Sequence, residues 1–211
     1  TKSIDEICDA FEVENSNNIY NPSYNITPNQ NLPVITNKNS KSISYINWGL
    51  VPFWAKDKKI SNKLINSRVE TISEKPSFKY AVEKRRCLVI SDGYFEWKNN
   101  DNGKIPYRIT TKDEKLFLMA GIWELWASGN NPYYSFSILT KQANEQISNI
   151  HHRMPAIITN EQRNTWLNEI DTYKAISMIK ESSNIEMKYY EVSKAVNTPN
   201  NNFKELVIPI S

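Results

Sequence analysis

The feature that most limits what this chain can fold into is its succession of short β-prone runs separated by polar turns. Residues 87–97 (CLVISDGYFEW), 106–110, 116–124 and 133–140 are rich in branched and aromatic side chains, which suit a pleated, half-buried surface. NNDNGK at 99–104 and SGNNP at 128–132 supply the Asn and Gly that hairpin turns need. Short strands at this spacing point to a barrel or a strongly curved, mainly antiparallel sheet. Further strands are predicted at 32–35 and 43–50, joined by the polar turn NKNSKS at 37–42. The tail returns to strand at 187–193 and 205–210. Residues 14–31, rich in Asn, Ser, Pro and Tyr, read as irregular chain.

Helices are few. Ser3 and Glu6 make a capping box, followed by Ile4, Ile7, Cys8 and Phe11 on one apolar face. Helices are also predicted within 73–83, 141–150 and 171–180. Thr159 and Gln162 form a second capping box leading to Trp166 and Leu167. With no repeats and no Pro- or Gly-rich linker, residues 1–211 are expected to form one α+β domain.

The chain is long enough to bury a full core without covalent staples. A hydrophobic share of 39% and a charged share of 23% suit a soluble protein. A net charge of +3 does not by itself indicate a nucleic-acid partner, which would need a local basic face. Cys8 and Cys87 cannot build a disulfide framework, and beside the adjacent His151 and His152 they fall short of a zinc site. No metal or other cofactor is expected. The cysteine usage fits a reducing compartment, and a cytoplasmic location is the expectation. No run approaches a membrane span, and no signal peptide is visible. The chain opens at Thr1 without Met.

Three segments carry chemistry: LINSRVET (64–71), DGYFEW (92–97) and NIHHRMP (149–155). Asn66 and Arg68 would share a strand face, where an amide can orient a reacting group and a guanidinium fork can hold a phosphate. A polar strand end with an ion pair from Arg68 to Glu70 explains the same spacing. Glu96 stands among Tyr94, Phe95 and Trp97. A carboxylate desolvated by aromatics should have a raised pKa, which suits proton transfer near neutrality. A solvent-facing Glu on a hairpin arm is the alternative. His151 can give and take a proton, and Arg153 beside it could hold a phosphate. A structural histidine is the other reading. His152 would point away in an extended chain. Trp48 and Trp54 flank a short loop followed by Lys56, Lys58 and Lys59. Exposed, such aromatics can stack on unpaired bases. Trp48 reads as core and Trp54 stays open. Lys84, Arg85 and Arg86 read as a solvated helix end.

Together these segments resemble the SRAP family, the SOS response-associated peptidases. The likeness runs from YNITPNQ (24–30) through WGLVPFWAK (48–56), LINSRVETISEKPSF (64–78), RRCLVISDGYFEW (85–97), AGIWE (120–124), SILT (137–140) and IHHRMP (150–155) to VSKAVNTPNNN (192–202). It implies an abasic-site sensor for single-stranded DNA, including junctions with duplex, that works as a monomer. Family members expose a cysteine after removal of Met, and its amine and thiol close a thiazolidine with the sugar aldehyde. The same cysteine is linked to removal of the N-terminal residue, hence the peptidase name. By resemblance, Asn66 orients that cysteine, Glu96 assists amine attack, and His151 serves sugar ring opening. Thr140 matches a site-lining threonine, Arg68 and Arg153 match phosphate-binding residues, and Trp48 and Trp54 match a DNA-channel loop. The family start, Met-Cys-Gly-Arg, is absent from the chain, and neither Cys8 nor Cys87 matches it. His152 stands where the family usually carries Asp, and Ala55 where some members carry a bulky aromatic. Two rivals remain: a module that coats single strands without reacting, and a cysteine-type peptidase acting on other proteins.

Overall fold

The computed structural model describes residues 1–15, 20–101, 103–128, 131–181 and 185–210. Its strands are β1 (Asn31–Thr36), β2 (Asn39–Trp48), β3 (Asn66–Arg68), β4 (Arg86–Ser91), β5 (Tyr94–Asn100), β6 (Gly103–Thr111), β7 (Phe117–Ser128), β8 (Asn131–Gln142), β9 (Arg153–Pro155), β10 (Ile157–Ile158) and β11 (Met187–Glu191). The α-helices are α1 (Ile4–Phe11), α2 (Lys79–Lys84), α3 (Glu145–Ser148), α4 (Asn160–Asn168) and α5 (Thr172–Lys180).

Strands β7, β4, β1, β2 and β8 neighbour one another in that order, and β8 pairs back onto β7 to close a five-stranded barrel. The closure is antiparallel except at β2–β8, which is parallel. The expected barrel-like α+β fold is therefore present. A second sheet, ordered β11-β6-β5, is antiparallel throughout.

Side-chain alternation divides the core in two. Val34, Val89 and Met119 are register neighbours, as are Cys87 with Gly121 and Trp123 with Phe136, and all but the glycine belong to the cluster filling the barrel interior. The intervening Ile35, Leu88, Leu118, Ala120 and Ile122 pack instead with α1, α2, α4 and α5. Buried on both faces, β4 reads as an unbroken apolar run.

Helices α1, α4 and α5 are tied down by specific contacts. The Ser3–Glu6 capping box starts α1, and Ile7 and Phe11 are its buried residues. The Gln162 side chain accepts from the Thr159 N–H in the predicted second box. Trp166 of α4 donates its indole N–H to the Cys87 carbonyl at 2.8 Å. Buried Lys141 donates to the Ile179 and Glu181 carbonyls, satisfying the orphan acceptors that end α5.

Several sequence expectations need correction. The run 87–97 is two strands in two different sheets, broken at Asp92-Gly93. A Cβ on Gly93 would sit 2.7 Å from Arg108 Nε and 3.1 Å from the Ile109 carbonyl oxygen, so a side chain there would displace the Arg108 guanidinium. The segment 205–210 is not a strand: Lys204–Val207 is a 3-10 turn that buries Leu206, while Ile208 and Ile210 stay exposed. The predicted 73–83 helix shrinks to α2, because Pro76 interrupts the preceding turns. The 141–150 helix shrinks to α3, because Lys141 and Gln142 extend β8. Strand β2 begins at Asn39, inside the predicted 37–42 turn. Arg85 and Arg86 are not a solvated helix end: Arg86 is buried over Trp166, and Arg85 pairs with buried Glu124. Residues 16–19 of the predicted loop, Asn102 of the first hairpin turn, and Gly129 and Asn130 of the second lie outside the described residues.

A Cβ on Gly121 would meet Cys87 Sγ at 2.7 Å inside the barrel. Gly121→Ala should therefore destabilise the fold by about 1–3 kcal/mol through overpacking. Adding Cys87→Ala should recover most of that loss. Denaturant midpoints of the single and double variants check both statements.

Candidate functional site

The site forms where the second sheet meets the open end of the barrel. Strand β5 alternates as its sequence demands. Phe95 and Trp97 pack with Val192, Val196 and Leu206, whereas Tyr94 turns to the barrel core. Glu96 therefore shares Tyr94's side of β5, opposite Tyr107 of β6. Burial pushes the Glu96 carboxyl up, against the smaller opposing pull of His151 and the Trp97 N–H. That direction is the one the aromatic frame predicts.

His151 lies between α3 and β9, two residues before Arg153. Its Nδ1 lies 3.8 Å from Glu96 Oε1, a charge-pairing separation once the ring is protonated. The Arg153 N–H lies 3.2 Å from that Nδ1 and donates to it in the tautomer that carries its proton on Nε2. The Arg153 carbonyl lies 3.1 Å from the same nitrogen, ready to accept when Nδ1 is protonated. His152 does not point away: its ring centroid is 4.4 Å from that of His151, because the chain bends there.

Asn66 and Arg68 are exposed on one face of β3, either side of buried Ser67. Pairing with β8 sets Asn66 opposite Ile138 and Arg68 opposite Thr140. Among the described residues Arg68 makes no ion pair, so the expected bond to Glu70 does not form. Glu70 instead takes Arg153 in a bidentate pair at 2.7 and 2.9 Å. The Arg153 guanidinium also donates to the Thr140 carbonyl at 2.6 Å and hydroxyl at 3.3 Å. The hydrogen bonds from Arg153 hold the Glu70 carboxyl below the ordinary carboxylate range.

A cavity of about 1030 Å³ opens beside Glu96 and Asn66, and His151, Arg68, Thr140 and Arg153 are not part of its lining. Asn66, Glu96 and Trp48 line it together with Thr1, Asp92 and Arg108. Trp48 is half-buried and donates its indole N–H to the Ile65 carbonyl at 2.9 Å. Asp92 pairs with Arg108 at 3.3 Å. Trp54 stands apart from this cavity, 47% exposed. Phe53 and Tyr80 are exposed beside it, packed edge to face at 5.6 Å. Neither cysteine is poised to react: burial raises the thiol pKa of both Cys8 and Cys87.

The fold thus brings Glu96 to His151, places Asn66 in the cavity with Glu96, and joins Arg153 to Thr140. Sequence reasoning missed Glu70 as the partner of Arg153, Asp92 with Arg108, and the exposure of Phe53 and Tyr80. Phe53, next to Trp54 and Pro52, carried a faint signal. The two ion pairs carried none, since their partners are far apart in the chain.

A barrel with this carboxylate–imidazole pair at its mouth defines a class, and the comparisons agree. The chain belongs to the SOS response associated peptidase (SRAP) family, whose model matches residues 1–199. It is 41% identical over 210 residues to the abasic site processing protein YoqW of Bacillus subtilis, covering 96% of this chain and 94% of that one. The abasic site processing protein HMCES of Gallus gallus is 33% identical over 227 residues, covering 90% of this chain and 67% of that one. A solved protein of Bacteroides thetaiotaomicron is 35% identical with a TM-score of 0.78, covering 87% of this chain and 82% of that one.

Because its carboxyl is raised, Glu96 destabilises the fold when ionised. The penalty is absent below the ordinary Glu range and appears as pH rises through the folded value. Glu96→Gln should therefore raise the unfolding temperature at pH 7, and the gain should vanish at acidic pH. Thermal melts of both proteins across pH test the sign.

Proposed function

We propose that this protein detects abasic sites in single-stranded DNA and holds them in a covalent DNA–protein crosslink. The observation that carries the reading is the Glu96–His151 pair at 3.8 Å, its carboxylate biased toward the protonated form and sharing a cavity with Asn66. Similarity to abasic site processing proteins over nearly the whole chain supports it.

In this reading the nucleophile is a cysteine at the mature N-terminus, preceding Thr1. The cavity reaching from Thr1 to Glu96 supports a route for that segment. The cysteine amine forms a C–N bond to the sugar aldehyde carbon, and water leaves to give an imine. The thiol then adds across the C=N bond, its proton passing to nitrogen, which closes the thiazolidine. Glu96 delivers the proton that turns the departing hydroxyl into water. His151 opens the sugar ring, and Asn66 orients the amine. Bringing amine and aldehyde together replaces a bimolecular step with an intramolecular one. The same cysteine would release its preceding residue, a self-processing peptidase (hydrolase) activity.

Arg68, Arg153 and Thr140 contact phosphates flanking the lesion, and Trp48 and Trp54 line the strand's path. The exposure of Trp54 beside Phe53 supports stacking on unpaired bases. Residues 1–211 act as one SRAP domain and as a monomer. The protein works in the cytoplasm, at the nucleoid when bound, on single strands and their junctions with duplex.

The test uses protein whose start carries the family's Met-Cys-Gly-Arg, mixed with single-stranded DNA bearing one abasic site. A band that persists in denaturing gels is expected, and retardation in native gels alone would overturn the covalent reading. Glu96→Gln should slow crosslinking by roughly 100-fold or more while leaving native binding unchanged. Arg153→Ala should weaken binding to intact strands, read as a lower affinity in native gels.

A further inference from the structure

We infer that Glu70 is a built-in stand-in for a DNA phosphate: it occupies the Arg153 fork in the free protein and is exchanged for a phosphate when a strand binds. Glu70 would then set how strongly intact strands are held. The inference rests on the DNA-binding reading above and adds a specificity-determining residue to it.

Four observations carry it. First, the guanidinium is engaged by both Glu70 oxygens at 2.7 and 2.9 Å, the geometry in which it also takes phosphate. Second, Arg68 as well as Arg153 pulls the Glu70 carboxyl down. A single carboxylate thus lies in the field of two cations on the same side of the candidate site, where a phosphate would otherwise be attracted. Third, Arg153 is anchored without Glu70, through its bonds to the Thr140 carbonyl and hydroxyl. The two partners differ in freedom, since Arg153 is 17% exposed and Glu70 is 44% exposed. When they part, Glu70 is the one that moves. Fourth, Glu70 borders a cleft of about 340 Å³ that is also lined by Lys180, Gln142 and Asn144. The cleft offers the displaced carboxylate room, a cation and amide donors.

Exchange of one anion for another returns less than filling an empty fork would, so Arg153 holds intact strands less tightly than an unpaired arginine. A strand whose aldehyde reacts is kept by its covalent bond and needs no tight encounter. Glu70 thereby favours lesions over the excess of undamaged single strands.

The test is fluorescence anisotropy with an intact, lesion-free single-stranded oligonucleotide over a range of salt. Glu70→Gln should bind it roughly 2- to 10-fold more tightly at low salt, with the gain fading toward high salt. The salt slope should steepen by up to about 0.7. Glu70→Ala serves as a second variant, since Gln can still accept one bond from Arg153. Thermal melts check that each variant is folded. In an Arg153→Ala background neither change should tighten binding. Unchanged or weaker binding by both variants, with an unaltered slope, overturns the inference and makes Glu70 a structural anchor for Arg153. Tighter binding without any crosslink to abasic DNA would sustain the exchange and sink the covalent reading alone. No binding of the oligonucleotide by any of these proteins would overturn both.

Discussion

The structure depends on the pairing of β8 along both of its edges. One edge meets β7 and then β9, both antiparallel. The other meets β2 and then β3, both parallel. The buried part of its backbone must have its N–H and C=O groups paired, and four partner strands supply that on both sides between Ser135 and Thr140. The same pairing closes the barrel between β2 and β7. Phe136 and Ile138 fill the interior from this strand, and Gly121 beside Ile138 makes space for the Cys87 sulfur.

The site follows from that closure. Register with β8 sets Asn66 opposite Ile138, Arg68 opposite Thr140, and Pro155 opposite Thr140 from the other edge. Arg153 therefore emerges within reach of the Thr140 carbonyl, and its own backbone meets His151. Glu96 arrives from the second sheet, where desolvation raises its carboxyl. Two carboxylates at one site are tuned in opposite directions. Glu96 is pushed up by burial, while Glu70, half-exposed, is pulled down by Arg153. The first suits a group that handles protons, the second a group that behaves as a fixed anion.

Much of this was legible beforehand, for identifiable reasons. Both capping boxes were readable because they are local, three residues from cap to partner. The separation of Glu96 from Phe95 and Trp97 was readable because strand side chains alternate. The misreadings share a cause as well. The stretch 205–210 looks like a strand by composition, but strand needs a partner edge, and only Leu206 finds a buried place. The segment 87–97 looks continuous, but it breaks at Asp92-Gly93, where Arg108 from another strand bonds the Asp92 carboxylate and carbonyl. Arg86 looked solvated because its neighbours are basic, yet a tryptophan eighty positions away covers it.

The sequence by itself determined the alternation of the strands, the helix starts, the family motifs and the identities of the candidate acid, base and amide. These are set by short-range sterics and hydrogen bonding, or carried whole in contiguous residues. Only the tertiary structure decided that Glu96 stands by His151, that Glu70 pairs with Arg153 rather than Arg68, and that Trp54 is exposed while Trp48 is half-buried. Those outcomes depend on which strands lie side by side. That choice is made by burying both faces of β4 and both edges of β8 at once, a condition that no single segment contains.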